Sequence, residues 1–187
     1  MSGVARILLA AALVSGGPLP LDAGKPAKVE PPPLTQDHEH PSGAFSFRTP
    51  EGWSLQPSRV SPEILDVTAG DVLVRFLYRP GETGYDSLHV TCMLERLAPP
   101  MDTAPEVSYE YDFVGGVVAD RRALDSAFVV KYDNPIRGHR AWRQRNVTIV
   151  GGGHSLCVIT YAPVAVWKKS PQARATVNAI LQSLTFH

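Results

Sequence analysis

The clearest alternation of apolar and polar positions lies between Ile136 and Phe186. Over Ala141–Ile149 one parity carries Ala141, Val147 and Ile149 and the other Trp142, Gln144, Asn146 and Thr148, the pattern of a half-buried strand. Gly151, Gly152 and Gly153 follow; glycine takes positive φ without strain, so a hairpin reversal is expected there. The return strand is expected from Leu156 to Tyr161. Its run Leu156-Cys157-Val158-Ile159 is apolar on both parities, which predicts a strand covered on both faces and therefore a central one. Beyond Pro163 the period becomes helical: Ser170 suits an N-cap, Pro171 a first turn, and Ala173, Val177, Ile180, Leu181 and Leu184 form one stripe. The preceding hairpin is the nearest apolar surface for that stripe.

Upstream, Phe45 and Phe47 alternate with Ser46 and Arg48, and Thr49-Pro50-Glu51-Gly52 makes a turn before Trp53 and Leu55. Val72, Val74, Phe76 and Tyr78 share one parity, as do Leu88, Val90, Cys92 and Leu94 after a break at Pro80–Gly84. Thr103-x-x-Glu106 fits a capping box, and Val107, Tyr111, Val114 and Val118 follow at helical spacing, so a helix is expected there. Gly115 and Gly116 oppose it, each costing about 1 kcal/mol relative to alanine in a helix interior. Ala127–Tyr132 reads as another strand, ended by Asp133-Asn134-Pro135. Strands that mostly follow one another through short turns, with few helices, predict an α+β domain built on an antiparallel sheet.

The chain has 187 residues and a formal net charge of zero, so no global field draws nucleic acid or an anionic membrane to it. Arg6 followed by the apolar run Ile7–Val14 and then small residues has the layout of a secretory signal peptide, too short to span a bilayer. The organisation expected is a signal peptide over 1–23, a proline-rich linker over 24–42 and a folded domain over 43–187. Export to a periplasmic or extracellular compartment follows from it. No cysteine stands near the N-terminus to carry a lipid anchor.

Several stretches carry candidate chemistry. Asp37-His38-Glu39-His40 crowds metal-ligand types together, but in a flexible linker it reads as a solvated polar tract, and no metal site is expected. Gly153-His154-Ser155-Leu156-Cys157 is one residue from a nucleophile elbow, yet here the serine enters a strand after a turn instead of leading into a helix. His89, His139 and His154 lie on separate elements, and a site using them would need a carboxylate such as Asp86 or Asp133. No catalytic residue is assigned and no cofactor is expected. Arg137, Arg140, Arg143 and Arg145, with Trp142 among them, form a basic run without an acidic residue: either a solvated strand edge or a docking surface for an acidic partner. A single tryptophan is too little stacking surface for single-stranded nucleic acid. Cys92 and Cys157, both expected on buried strands, either pair in an oxidising compartment or pack as thiols. Asn146-Val147-Thr148 matches a glycosylation sequon.

Phe45-Ser46-Phe47-Arg48-Thr49-Pro50-Glu51-Gly52-Trp53 near the start of the domain, and Tyr161-Ala162-Pro163 leading to Ile180-Leu181-Gln182-Ser183-Leu184-Thr185-Phe186 at its end, resemble the PsbP-like fold. That group includes the extrinsic lumenal subunit of photosystem II, a Ran-GTPase-binding nuclear protein and small bacterial secreted proteins and lipoproteins. The resemblance covers Gly43 to His187 and implies a central antiparallel sheet flanked by helices, an α/β/α sandwich. It implies accessory or binding roles and no shared catalysis. The lipobox cysteine of many bacterial relatives is missing, and nothing suggests the manganese-site role of the photosynthetic subunit. The reading is an exported, non-enzymatic accessory protein of the cell envelope that contacts an unidentified protein partner, not spanning the membrane but able to associate with it peripherally. The alternative is a hydrolase or metal-dependent enzyme using His154 and its neighbours.

Overall fold

The structure, a computed structural model, describes residues 29–58, 61–81, 84, 106–134 and 138–187. Among these are ten strands and two helices. The strands are β1 (Gln36–Glu39), β2 (Phe45–Thr49), β3 (Ser54–Pro57), β4 (Ile64–Ala69), β5 (Val72–Pro80), β6 (Glu106–Val118), β7 (Arg121–Asn134), β8 (Gly138–Gly151), β9 (His154–Pro163) and β10 (Thr185–Phe186). Two helices, α1 (Val164–Lys169) and α2 (Pro171–Gln182), precede β10. A three-stranded sheet has the order β1-β2-β10, and a seven-stranded sheet the order β3-β4-β5-β9-β8-β7-β6. Every pairing is antiparallel.

The long hairpin forms where the alternation places it. Gly151 pairs with His154 across a turn in which Gly151, Gly152 and Gly153 all have positive φ. At Gly152 (φ +62°) the Arg121 guanidinium also presses against the space a Cβ would take, because Arg121 donates to the Gly151 carbonyl. β9, apolar on both parities, lies between β5 and β8 and is buried along its length.

The small sheet and α2 lie on one face of the large sheet and close the main core, while Leu77, Cys157 and Ile159 form a second, smaller cluster. Phe45 and Phe47 of β2 meet Phe76 of β5 at 5.7 and 4.4 Å between ring centroids. Val177, Ile180 and Leu181 of α2 and Trp167 of α1 join the same cluster, with Val147, Ile149, Leu156 and Val158 from β8 and β9. Ser170 caps α2 by accepting from the Ala173 N–H at 3.1 Å.

The sandwich expected from the resemblance is not what forms. The described chain is dominated by strand, and its two helices are adjacent in sequence; they do not flank the sheet on both sides. The expected helix after Glu106 is also a strand, β6, paired to β7 from Glu106↔Lys131 to Val118↔Arg121. Tertiary pairing outweighs the weak helical spacing there, and Gly115 and Gly116, costly in a helix, sit in the strand opposite Leu124 and Ala123. Gln36–Glu39, in the stretch read as linker, forms β1 on the edge of the small sheet. The strand expected around Leu88–Leu94 lies outside the described residues.

Candidate functional site

The arginine-rich strand is an internal strand, not an edge. β8 runs between β9 and β7, so both of its edges are paired. Alternation then decides the fate of each side chain: Arg143 and Arg145 share the parity of Val147 and Ile149, which is the core face. They are 4% and 2% exposed. Arg145 grips Asp125 of β7, 1% exposed, through Nε at 3.0 Å and Nη2 at 2.6 Å, and its Nη1 donates to Asn178 of α2 at 2.6 Å. The Tyr111 hydroxyl donates to the same carboxylate at 3.3 Å. Arg143 donates to Glu110 of β6 at 2.7 Å, and its guanidinium sits 4.8 Å from the Trp167 ring centroid. These two cations tie helices to sheet and are not presented to a partner. Arg140 is exposed at the start of β8, and Arg137 lies outside the described residues.

The opposite parity of β8 faces the other side of the sheet, and there cross-strand partners assemble a row of apolar and aromatic groups. Val107, Val130, Trp142 and Pro163 are successive partners across β6, β7, β8 and β9, and Tyr109, Phe128, Gln144 and Tyr161 form the next row. Trp142 stacks on Tyr161 with centroids 4.7 Å apart and planes 3° from parallel, and Tyr109 meets Phe128 at 5.7 Å. Phe128 and Val130 are buried, whereas Val107 is 38% and Tyr109 55% exposed. Val107 and Tyr109 are the exposed large hydrophobic residues among those described. Arg140, two positions from Trp142 on the same parity, borders this patch. The sequence singled out Arg140 and Trp142 but missed Val107 and Tyr109, because it read them as part of a helix.

The enzymatic candidates do not converge. Ser155 is buried, and its hydroxyl donates to the Gly81 carbonyl at 2.7 Å. His154, the next residue, faces the other side of the sheet, where its Nδ1 lies 3.0 Å from the Tyr78 hydroxyl. His89 and Asp86 lie outside the described residues; His139 and Asp133 pair as backbone across β8 and β7. Cys157 is buried and disulfide-bonded, and Cys92 lies outside the described residues. Asn146 of the sequon is fully buried, so the folded chain does not offer it for glycosylation.

Strand alternation also pulls the Asp37-His38-Glu39-His40 tract apart. Asp37 and Glu39 point outward, Asp37 toward Arg48 at 3.0 Å, while the two histidines turn in. His38 Nε2 is 2.8 Å from the Thr49 hydroxyl. His40 lies against Phe45, centroids 4.6 Å apart, and is 1% exposed. Burial lowers the pKa of both rings; Asp37 partly offsets this at His38, and the Glu63 carbonyl partly offsets it at His40. No group of three or more histidine, cysteine or carboxylate side chains among the described residues is placed to hold a metal ion. Asp37, His38, Glu39, Gly43, Ser46 and His187 instead line an open groove of about 580 Å³.

A seven-stranded antiparallel sheet, a short second sheet against it and a terminal helix pair can be matched to known folds. Cyanobacterial PsbP (CyanoP) from Synechocystis superposes with a TM-score of 0.55 at 10% identity, covering 88% of this chain and 99% of that one. The chain has a PsbP-like fold. The Ran-binding protein Mog1p of Saccharomyces cerevisiae has this fold too, with a TM-score of 0.50, 11% identity, and coverage of 82% of this chain and 96% of Mog1p. A Bacteroides thetaiotaomicron protein matches 83% of this chain with a TM-score of 0.52 at 10% identity, and this chain spans about half of its length, 49%. At such identities the likeness carries the PsbP-like fold and nothing finer. No protein-family model and no curated protein matches the sequence. Among the described residues no helix is long and apolar enough to cross a membrane.

Proposed function

We propose that this chain is an exported, non-enzymatic accessory protein of the cell envelope that works by binding a protein partner. The observation that carries the reading is the exposed patch of Val107 and Tyr109 beside Trp142 and Arg140, at the β6 end of the large sheet. Aromatic residues with an arginine at the rim are the composition of interface hot spots. Ser155 bonds within the fold, and so do Arg143 and Arg145, two of the arginines expected on a docking surface, which leaves Arg140 and Trp142 as the described members of that run in this patch. The Ran-binding role of Mog1p, which shares the fold, agrees with a protein-binding scaffold.

Export rests on the Arg6 and Ile7–Val14 pattern within a signal peptide over 1–23. Residues 24–42 form the tether to a binding domain over 43–187, with Gln36–Glu39 of that tether held to the domain as β1. Arg140 favours an acidic group on the partner.

The test is crosslinking of the full chain in the envelope of its source, followed by binding measurements with the purified partner. Tyr109→Ala is expected to weaken binding by about 2 kcal/mol and Arg140→Glu to slow association, with the unfolding midpoint unchanged in both. Full affinity in the Tyr109→Ala, Arg140→Glu double variant would sink the assignment of this surface. Arg143→Glu is no test of docking, because it places a carboxylate beside Glu110 inside the fold.

A further inference from the structure

We propose that β1 is an acid-released strap, docked on the small sheet while His40 is neutral and let go when His40 takes up a proton. The geometry at the β1–β2 turn sets this. His40 donates its backbone N–H to the Phe45 carbonyl at 2.9 Å, and the Gly43 N–H donates to the His40 carbonyl at 2.8 Å. Within that turn the Ser42 backbone N–H points at His40 Nδ1 at 3.2 Å. The Ser42 hydroxyl lies closer to the same Nδ1, at 2.8 Å, and can donate to it or accept from it, so either neutral tautomer is satisfied at Nδ1. Nε2 is buried without a bond of ordinary hydrogen-bond geometry, and the Glu63 carbonyl is the acceptor that stands by the ring.

Protonating this ring carries the penalty of burial: the charge would sit between the Phe45 and Tyr78 rings on a side chain that is 1% exposed.

The surroundings offset that penalty in part, with burial the larger effect. Around the ring stand Ser42, whose hydroxyl is 2.8 Å from Nδ1, Phe45 of β2, the Glu63 carbonyl ahead of β4, and Tyr78 of β5 at 5.6 Å between centroids. Tyr78 in turn contacts His154 of β9. The carboxylates nearest in sequence and packing, Glu39 and Glu63, are exposed. His38, one strand step away, faces Thr49 and Phe47 of β2, while Asp37 beside it is engaged by Arg48. Its burial acts in the same direction as that of His40.

The sign follows from linkage. A histidine whose pKa is lowered in the docked state binds its proton more tightly once undocked. Docking is then strongest above the ordinary histidine pKa of about 6.5 and weakens as pH falls through it. Release would bare β2, flanked otherwise among the described residues by β10, as a new strand edge.

Amide exchange of the full chain tests the strap, because the Thr35 and His40 N–H groups bond to β2 carbonyls at 3.0 and 2.9 Å and bracket β1. Corrected for intrinsic exchange rates, their protection is expected to fall by about fivefold or more between about pH 7.5 and about pH 5, relative to amides of β8 and β9. His40→Asn keeps an acceptor for the Ser42 N–H without a titrating ring, and His38→Gln keeps a donor for Thr49. The double variant is expected to lose less than about twofold over the same range. Unchanged protection in the wild type, or an equal fall in the double variant, overturns the proposal. If the double variant does not fold, ring titration by NMR in the wild type decides: His40 titrating below a histidine of the denatured chain supports the strap, and titrating with it overturns it.

Discussion

Arg145 and Asp125 form the most deeply buried ion pair described, and its energetics turn on what a substitution leaves behind. Two charges withdrawn from water are held by a forked contact, with Asn178 and Tyr111 taking further bonding positions. Removing one partner strands the other charge in the core. Asp125→Ala is thus expected to cost about 3–5 kcal/mol in urea unfolding, whereas Asp125→Leu with Arg145→Met should come out near neutral. A double variant as damaged as the single one would show that the cost was packing and not charge. The inward direction of both arginines was legible, since Arg143 and Arg145 lie on the parity that carries Val147 and Ile149. Reading them as a surface run followed charge and set that parity aside. Where their counter-charges come from was not legible, because Asp125 and Glu110 reach them only through strand pairing.

At the scale of elements, β6 shows why a strand can read as a helix. Val107 and Tyr109 partner residues on the outer face, but register shifts between Tyr109 and Tyr111 and between Tyr111 and Val114 turn Tyr111, Val114, Gly116 and Val118 to the core face. Bulges of this kind break strict alternation and leave apolar residues at spacings of three and four, which imitate a helix. The turn that follows hid as well. Ala119 and Asp120 both have positive φ, at 50° and 59°, the geometry of a tight hairpin, without the Asn-Gly or Asp-Gly pair that usually announces one. The terminal helix was legible because its cap is local. Ser170→Ala removes the acceptor for the Ala173 N–H and is expected to cost about 1 kcal/mol, read as a lowered unfolding midpoint in denaturant. A shift within error would mean that packing of Val177, Ile180 and Leu181 alone holds the helix.

For the whole molecule, the small sheet, the helices and the large sheet share the main core, and the covalent restraint sits in the second cluster, where Cys157 packs with Leu77 and Ile159. Cys157 is disulfide-bonded at the centre of β9, and the chain has two cysteines. We propose Cys92 as its partner, a pairing that suits an exported protein. Reduction is expected to lower stability by about 2–5 kcal/mol, and non-reducing peptide mapping should recover a Cys92–Cys157 peptide. Recovery of both thiols from protein folded under oxidising conditions would remove the pairing and weaken the argument for export.

The sequence by itself determined what depends on neighbours in the chain. The glycine hairpin, the two-sided burial of β9, the capped helix and the Phe45-Ser46-Phe47 strand each follow from period or turn chemistry, and the two end motifs together identified the PsbP-like fold. Tertiary structure alone decided which faces were covered and which charges met. It gathered both helices beside the small sheet instead of on opposite sides of the large one, made β6 a strand, and left Val107 and Tyr109 exposed next to Trp142 and Arg140. The physical reason is that strand pairing and layer packing act between residues far apart in the chain, where local spacing carries no information about partners.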